Sequence, residues 1–329
     1  MLKKSALIFG VSGQDGSLLS DLLLKKGYAV FGQTRNLSAK TTKNLDKLAI
    51  TSRIRFEECE LSDINVIRDL IERIKPEEVY NLSGQSSVGL SYSLPYETFE
   101  SQAFVAVRIL EAIRQSGVKT RFLNASSGDC FGETSETGAT EDSNFQPRNP
   151  YAAAKCSASL SVICYRDVFE QFACNAYMFN HESHLRGEAF VTRKIIKSVV
   201  SIAHGHSNDI KLGDISVKRD WGCAEEYVEG IWRILQHEVP QDFIIATGRH
   251  ASLEYFLTIA FSYFDMNWRD YVKYESVLAR PSEIKINCGN ASKARHELGW
   301  QPQLELETLI PKLIKHELSR QIISDNPKN

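Results

Sequence analysis

Short runs dense in β-branched, aromatic and aliphatic residues alternate along the chain with longer segments whose apolar positions recur at helical spacing. The run from Ala6 to Phe9, followed by 29–34, 54–58, 78–82, 120–125 and 173–179, reads as a set of buried strands. Between them, helices are predicted from Leu18 to a stop at Lys25, Lys26 and Gly27, over 63–74 before Pro76, over 96–116 before Gly117, and over 150–169. This alternation predicts an α/β fold, a parallel sheet wound on both faces in the Rossmann manner.

After Asn180 the pattern loosens. A basic helix near 190–204, a mixed stretch 210–222, a helix over 224–236 and a strand-like run 242–247 precede helices at 253–264 and 292–298 and a terminal helix after Glu305. The expected organisation is a doubly wound dinucleotide-binding domain, residues 1–179 with about 215–250 returning to it. A smaller mixed α/β substrate domain takes 180–214 and 251–329.

The first strand runs into Gly10, Val11, Ser12, Gly13, Gln14, Asp15 and Gly16. In such a turn the first glycine bends the chain off the strand, the second lets backbone approach a pyrophosphate, and the third lets the next helix pack closely. That helix directs its N-terminus at the phosphates. A dinucleotide site is therefore expected, with GxxGxxG spacing of the short-chain dehydrogenase kind. The loop from Leu82 through Gly84 and Ser86 to Ser87, after the fourth strand, is a second expected backbone approach to the cofactor.

Composition adds exclusions. The 329 residues carry a formal net charge of −2, and 43% are hydrophobic and 24% charged, ordinary for a globular protein. Such a balance argues for neither nucleic acid nor a membrane surface as partner. No apolar run approaches the roughly 18 residues of a membrane span, so a cytoplasmic protein is expected. The 7 cysteines are scattered without a CxxC pair and are expected as reduced thiols. His181, Glu182, Ser183 and His184 lack the HExxH spacing, so no metal is expected.

Tyr151 and Lys155 stand four residues apart and share one face of the predicted helix. A phenol of pKa about 10 is a poor base at neutral pH, but a nearby ammonium and a positive nicotinamide favour the phenolate. Ser127, at the end of the preceding strand, is placed to bind the oxygen that Tyr151 deprotonates. These three are the expected catalytic residues, and Lys155 and Tyr151 also meet the cofactor. Arg35, after the second strand, can pair with a ribose 2′-phosphate that a carboxylate would repel, so NADP is expected over NAD. Asp63 is placed to meet the adenine, or to cap the following helix.

Taken together these stretches resemble the extended short-chain dehydrogenase/reductases, and within them the GDP-mannose 4,6-dehydratases. The likeness covers nearly the whole chain. Its most specific stretches are 10–16 (GVSGQDG), 80–86 (YNLSGQS), 147–155 (PRNPYAAAK), 179–183 (FNHES), 190–195 (FVTRKI), 218–222 (KRDWG), 280–283 (RPSE) and 298–302 (LGWQP). The resemblance implies that Ser87, Asn180, Glu182, Val191, Lys194, Leu212, Gly213, Arg219, Arg280 and Glu283 surround a GDP-sugar, and that His184 and Arg186 lie by the cofactor. It also implies that the polar stretch 36–44 is an arm reaching a neighbouring subunit, and hence a homodimer or homotetramer.

The family reaction oxidises C4 with Tyr151 as base, removes the C5 proton with a carboxylate, expels water from C6 and returns the hydride there. Dehydratases of this kind usually carry Thr-Ser-Glu where this chain has Ser127, Gly128 and Asp129. Asp129 is the corresponding base, shorter by one methylene. A 4,6-dehydratase is the leading expectation. The alternatives are a GDP-sugar C4 dehydrogenase, reductase or epimerase that never eliminates water, and more remotely a non-catalytic NADP-sensing module.

Overall fold

The structure, a computed structural model, describes residues 4–278 and 281–325. The first half alternates β1 (Ser5–Phe9), α1 (Gln14–Lys25), β2 (Ala29–Thr34), α2 (Ala39–Lys47), β3 (Arg55–Glu58), α3 (Ile64–Ile74) and β4 (Glu78–Asn81). It continues through α4 (Val88–Ser93), α5 (Pro95–Phe99), α6 (Val105–Ser116), β5 (Arg121–Ser127), α7 (Pro150–Phe169) and β6 (Ala173–Met178). Then come β7 (Asn180–Glu182), α8 (Val191–Ala203), β8 (Ile210–Leu212), β9 (Lys218–Cys223), α9 (Ala224–Gln236) and β10 (Phe243–Ile245). The remainder is β11 (His250–Ser252), α10 (Leu253–Ser262), β12 (Val272–Tyr274), β13 (Ile286–Asn287), α11 (Ser292–Leu298) and α12 (Leu306–Asp325).

Seven strands form one sheet in the order β10-β6-β5-β4-β1-β2-β3, with every neighbouring pair parallel. Because side chains alternate along a strand, Ala6 and Ile8 of β1 join a core with α1 and α9, whereas Leu7 and Phe9 join one with α3 and α6. Burial of a side chain such as Leu7, Ile8 or Phe9 contributes about 1.5–3 kcal/mol. The strand order reverses between β1 and β4, which opens a crevice at the strands' C-terminal ends, the usual ligand position in such sheets. A separate core of α8, α10 and α12 side chains stands beside the sheet. It is joined through β9, which pairs with β7, β11 and β13. Among the described residues no helix is long and apolar enough to cross a membrane.

One expectation changes. The run 96–116 is not one helix: α5 passes through a π-helical turn, Glu100–Phe104, into α6. There Gly84, at φ +106°, comes so close that a Cβ would meet the Ser101 carbonyl oxygen at 2.6 Å. Gln102 Nε2 donates to the Gln85 carbonyl at 2.6 Å, and the wider turn makes room for that contact. The polar stretch 36–44 runs into α2. Ser38 caps the helix, Leu45 is buried, and Asn44 Nδ2 donates to the Ser12 carbonyl of the same chain at 3.1 Å.

Candidate active site

A cavity of about 620 Å³ occupies the crevice. Its first wall is the glycine turn. Gly10 has φ +86° and lies so close to the chain after β4 that a Cβ would sit 2.5 Å from the Leu82 carbonyl oxygen; at Gly16 a Cβ would sit 2.2 Å from that of Gly10. These two glycines draw α1 and the loop after β4 together, and larger residues could not. Gly13 is the N-cap of α1 and offers no side chain, so the helix's first N–H groups are left to whatever enters the cavity.

The opposite wall is chemical. Ser127 ends β5, Asp129 follows in a short 3₁₀ turn, and Tyr151 and Lys155 stand one helical turn apart at the start of α7. Pro150 at the first helical position and the Asn149 side chain, which accepts from the Ala152 N–H at 2.8 Å, fix where that helix begins. The Ser127 hydroxyl accepts from the Asp129 N–H at 3.2 Å. Burial, and then the Asp129 carboxylate, push the Tyr151 phenol well above its usual range, with Ser127 pulling it partway back. Burial lowers the Lys155 ammonium to about 8; Nζ donates to the Ala125 carbonyl at 2.7 Å and lies 5.8 Å from the centre of the Tyr151 ring. The cation that draws the phenol down is Arg186, and desolvation outweighs it.

β7 closes the cavity from the side. His181 Nε2 lies 3.0 Å from an Asp15 carboxylate oxygen, and the Ser183 hydroxyl donates to Gln14 Oε1 at 2.9 Å. Burial disfavours ionised Asp15, yet the charge of His181 and its hydrogen bond hold the carboxyl at about 2. The same pair outweighs burial on His181 and raises the imidazole above 6.5.

The cavity brings together Gly13, Gln14, Asp15, Gly16, Leu82, Gly84, Ser86, Ser87, Ser127, Asp129, Tyr151 and Lys155. Also lining it are Asn180, Glu182, Arg186, Val191, Lys194, Leu212, Gly213, Arg219 and Glu283. Arg219 donates to Glu283 at 2.6 Å and to the Ile284 carbonyl at 2.8 Å, and Lys194 Nζ donates to the Lys211 carbonyl at 2.6 Å.

Other expected residues lie elsewhere. Gly10 shapes the turn from behind, and the backbone of Ser12 is engaged by Asn44. Arg35 is exposed beyond the walls. Asp63 caps α3, accepting from the Asn65 N–H at 2.8 Å, and is not a wall residue. His184 is not a wall residue: its ring stacks on His316 at 4.5 Å, while His181 lines the cavity. Arg280 lies outside the described residues. Asp220, which the sequence reading passed over, is fully buried and accepts from the Thr247 N–H and hydroxyl and the Gly248 N–H, knotting β9 to the loop after β10. Asn287 is a further wall residue that sequence reasoning missed.

Comparison with known proteins agrees with this fold. The family described as GDP-mannose 4,6 dehydratase matches residues 7–313. The chain is 40% identical to GDP-mannose 4,6 dehydratase 2 of Arabidopsis thaliana over 96% of its own length and 87% of the relative's. Among solved structures, the dTDP-glucose 4,6-dehydratase DesIV of Streptomyces venezuelae, with NAD and DAU bound, superposes with TM-score 0.85 at 18% identity, covering 98% of this chain and 99% of that one. RMD of Pseudomonas aeruginosa, complexed with NADPH, does so with TM-score 0.80 at 20% identity, covering 97% and 98%.

Proposed function

The chain belongs to the GDP-mannose 4,6-dehydratase family, and on that premise we propose that it converts GDP-mannose or a related GDP-sugar to the 4-keto-6-deoxy sugar. The observation that carries the reading is that Ser127, Asp129, Tyr151 and Lys155 wall the same cavity as the glycine turn.

The residues present fit a nicotinamide dinucleotide. The glycine cradle, the uncapped start of α1 and Lys155 would hold it, and Arg35 at the end of β2 favours NADP. When bound, such a cofactor supplies a hydride acceptor and the return of the same hydride. The charge of an oxidised nicotinamide ring also opposes the desolvation that keeps Tyr151 protonated. Ser127 and Tyr151 direct their hydroxyls at one oxygen, the C4 hydroxyl of the sugar, and Tyr151 takes its proton. A ketone at C4 acidifies the C5 hydrogen, and Asp129 is the carboxylate placed to remove it as water leaves C6. Lys194 and Arg219 supply cations for the diphosphate. The family likeness also favours an assembly of two or four copies, which sedimentation would measure.

Incubation of the protein with NADP and GDP-mannose, followed by mass spectrometry, tests the proposal. A nucleotide sugar lighter by one water supports it. An unchanged carbon skeleton with all its oxygens and stoichiometric reduced cofactor would instead make this a C4 dehydrogenase, the reading that the shorter Asp129 favours.

A further inference from the structure

We propose that Asn287, on β13, is a positioning residue for the turn that carries Asp129. It rests on the dehydratase reading above. Asn287 is fully buried and its Nδ2 donates to two carbonyls of that turn, Gly128 at 3.0 Å and Gly132 at 3.1 Å. Its Oδ1 is buried with no hydrogen-bond partner among the described residues. Burying an amide is costly unless its groups are paired. Here the offset comes from the two bonds to the turn, so the side chain's contribution is concentrated there. The opposite orientation of the amide would set an oxygen against two carbonyl oxygens, which fixes the assignment.

The surroundings make Asn287 a stiff anchor. Lys285 and Ile286 N–H groups both donate to the Glu133 carboxylate at 2.8 Å, and the Cys288 N–H donates to the Thr134 hydroxyl at 2.9 Å. On its other edge β13 pairs with β9, where Asn287 stands opposite Arg219. From the side, Gly128 meets the Phe179 ring so closely that a Cβ would lie 2.7 Å from it. The turn is thus gripped by Asn287 below and Phe179 beside, and Asp129 projects from that grip. A carboxylate one methylene shorter than the family's usual glutamate has little reach of its own, so its placement is set by where the backbone is held. A displacement of about 1 Å at such a base can lower a rate by roughly a hundredfold.

The role is tested by replacing Asn287 with Leu and following single turnovers on NADP and GDP-mannose. Asn287→Leu is expected to slow water loss at least ~10-fold more than C4 oxidation, so that reduced cofactor accumulates in a transient that the unaltered protein does not show. Amide hydrogen exchange over residues 128–132, measured without substrate, is expected to speed up in the variant. If Asn287→Leu fails to fold, Asn287→Ser, which keeps a donor and leaves space for a bridging water, should show the same split in milder form. A parallel fall in oxidation and elimination, or unchanged exchange in the turn, would overturn the proposal. Should the unaltered protein itself never release water, the dehydratase reading fails, and unchanged exchange alone then decides against Asn287.

Discussion

His181 is held between two acceptors: its Nδ1 lies 2.6 Å from the Phe179 carbonyl oxygen and its Nε2 3.0 Å from an Asp15 carboxylate oxygen. A neutral imidazole has one N–H and could serve only one of them, so this position favours the imidazolium. The ring also stacks on Tyr227 at 4.7 Å, which fixes its plane. The pair ties the first turn of the glycine helix to β7 and so sets the width of the crevice where the two meet.

The pair has a pH signature. His181 is raised above 6.5, so the stability it contributes is fully present below that value and is lost as pH rises through its folded-state pKa. Asp15 is lowered from 3.8 to about 2, so its contribution is present above 3.8 and is lost as pH falls towards 2. NMR titration of the His181 ring protons should give a midpoint above 6.5, and Asp15→Asn should bring it down. A midpoint below 6.5 in the unaltered protein would contradict the pairing.

Lys155 sets the alkaline limit. Its ammonium is depressed by burial to about 8, and it is the cation beside the base. The catalytic efficiency should therefore fall on the alkaline side with a midpoint near 8, and Lys155→Met should lower turnover by ~10²–10⁴-fold. A pH profile that keeps rising through that midpoint would show that Lys155 need not be charged.

Asp129 should separate the two halves of the reaction. Asp129→Asn keeps the size and the backbone position but removes the base, so C4 oxidation should persist while water loss drops by ~10²–10⁴-fold. Rapid-mixing absorbance would show reduced cofactor formed and retained. Unaltered turnover in Asp129→Asn would place the C5 base elsewhere.

Gly128 is a packing test. A methyl group there would enter the Phe179 ring, which is itself buried and stacked on Phe131 at 6.4 Å. Gly128→Ala should cost about 1–3 kcal/mol of stability, read by chemical denaturation, and Phe179→Leu in the same chain should recover part of it. A neutral Gly128→Ala would mean the turn moves freely, against the grip described for Asn287.

Much of this site can be read along the chain because its signals are local. The glycine turn, the Tyr151 and Lys155 spacing and the strand ends are each set by a few adjacent residues, and helix 150–169 falls where Pro150 and Asn149 would start it. What escapes is set across the fold. Asn287 reaches the turn from over 150 positions away, as does His181 its partner Asp15. The different places of His181 and His184 have a physical cause in β7: alternation along that strand turns His181 towards α1, while His184, beyond its end, packs against His316. Helix α2 is hidden because its sequence is almost wholly polar, with Leu45 buried among its described side chains.

The central claim is that a hydride is borrowed from C4 and returned to C6 of the same sugar. GDP-mannose carrying deuterium at C4, turned over with unlabelled NADP and examined by NMR, measures this directly. Deuterium in the C6 methyl group of a 4-keto product is the predicted result. Deuterium recovered in the reduced cofactor, with the C6 hydroxyl still on the sugar, would contradict it.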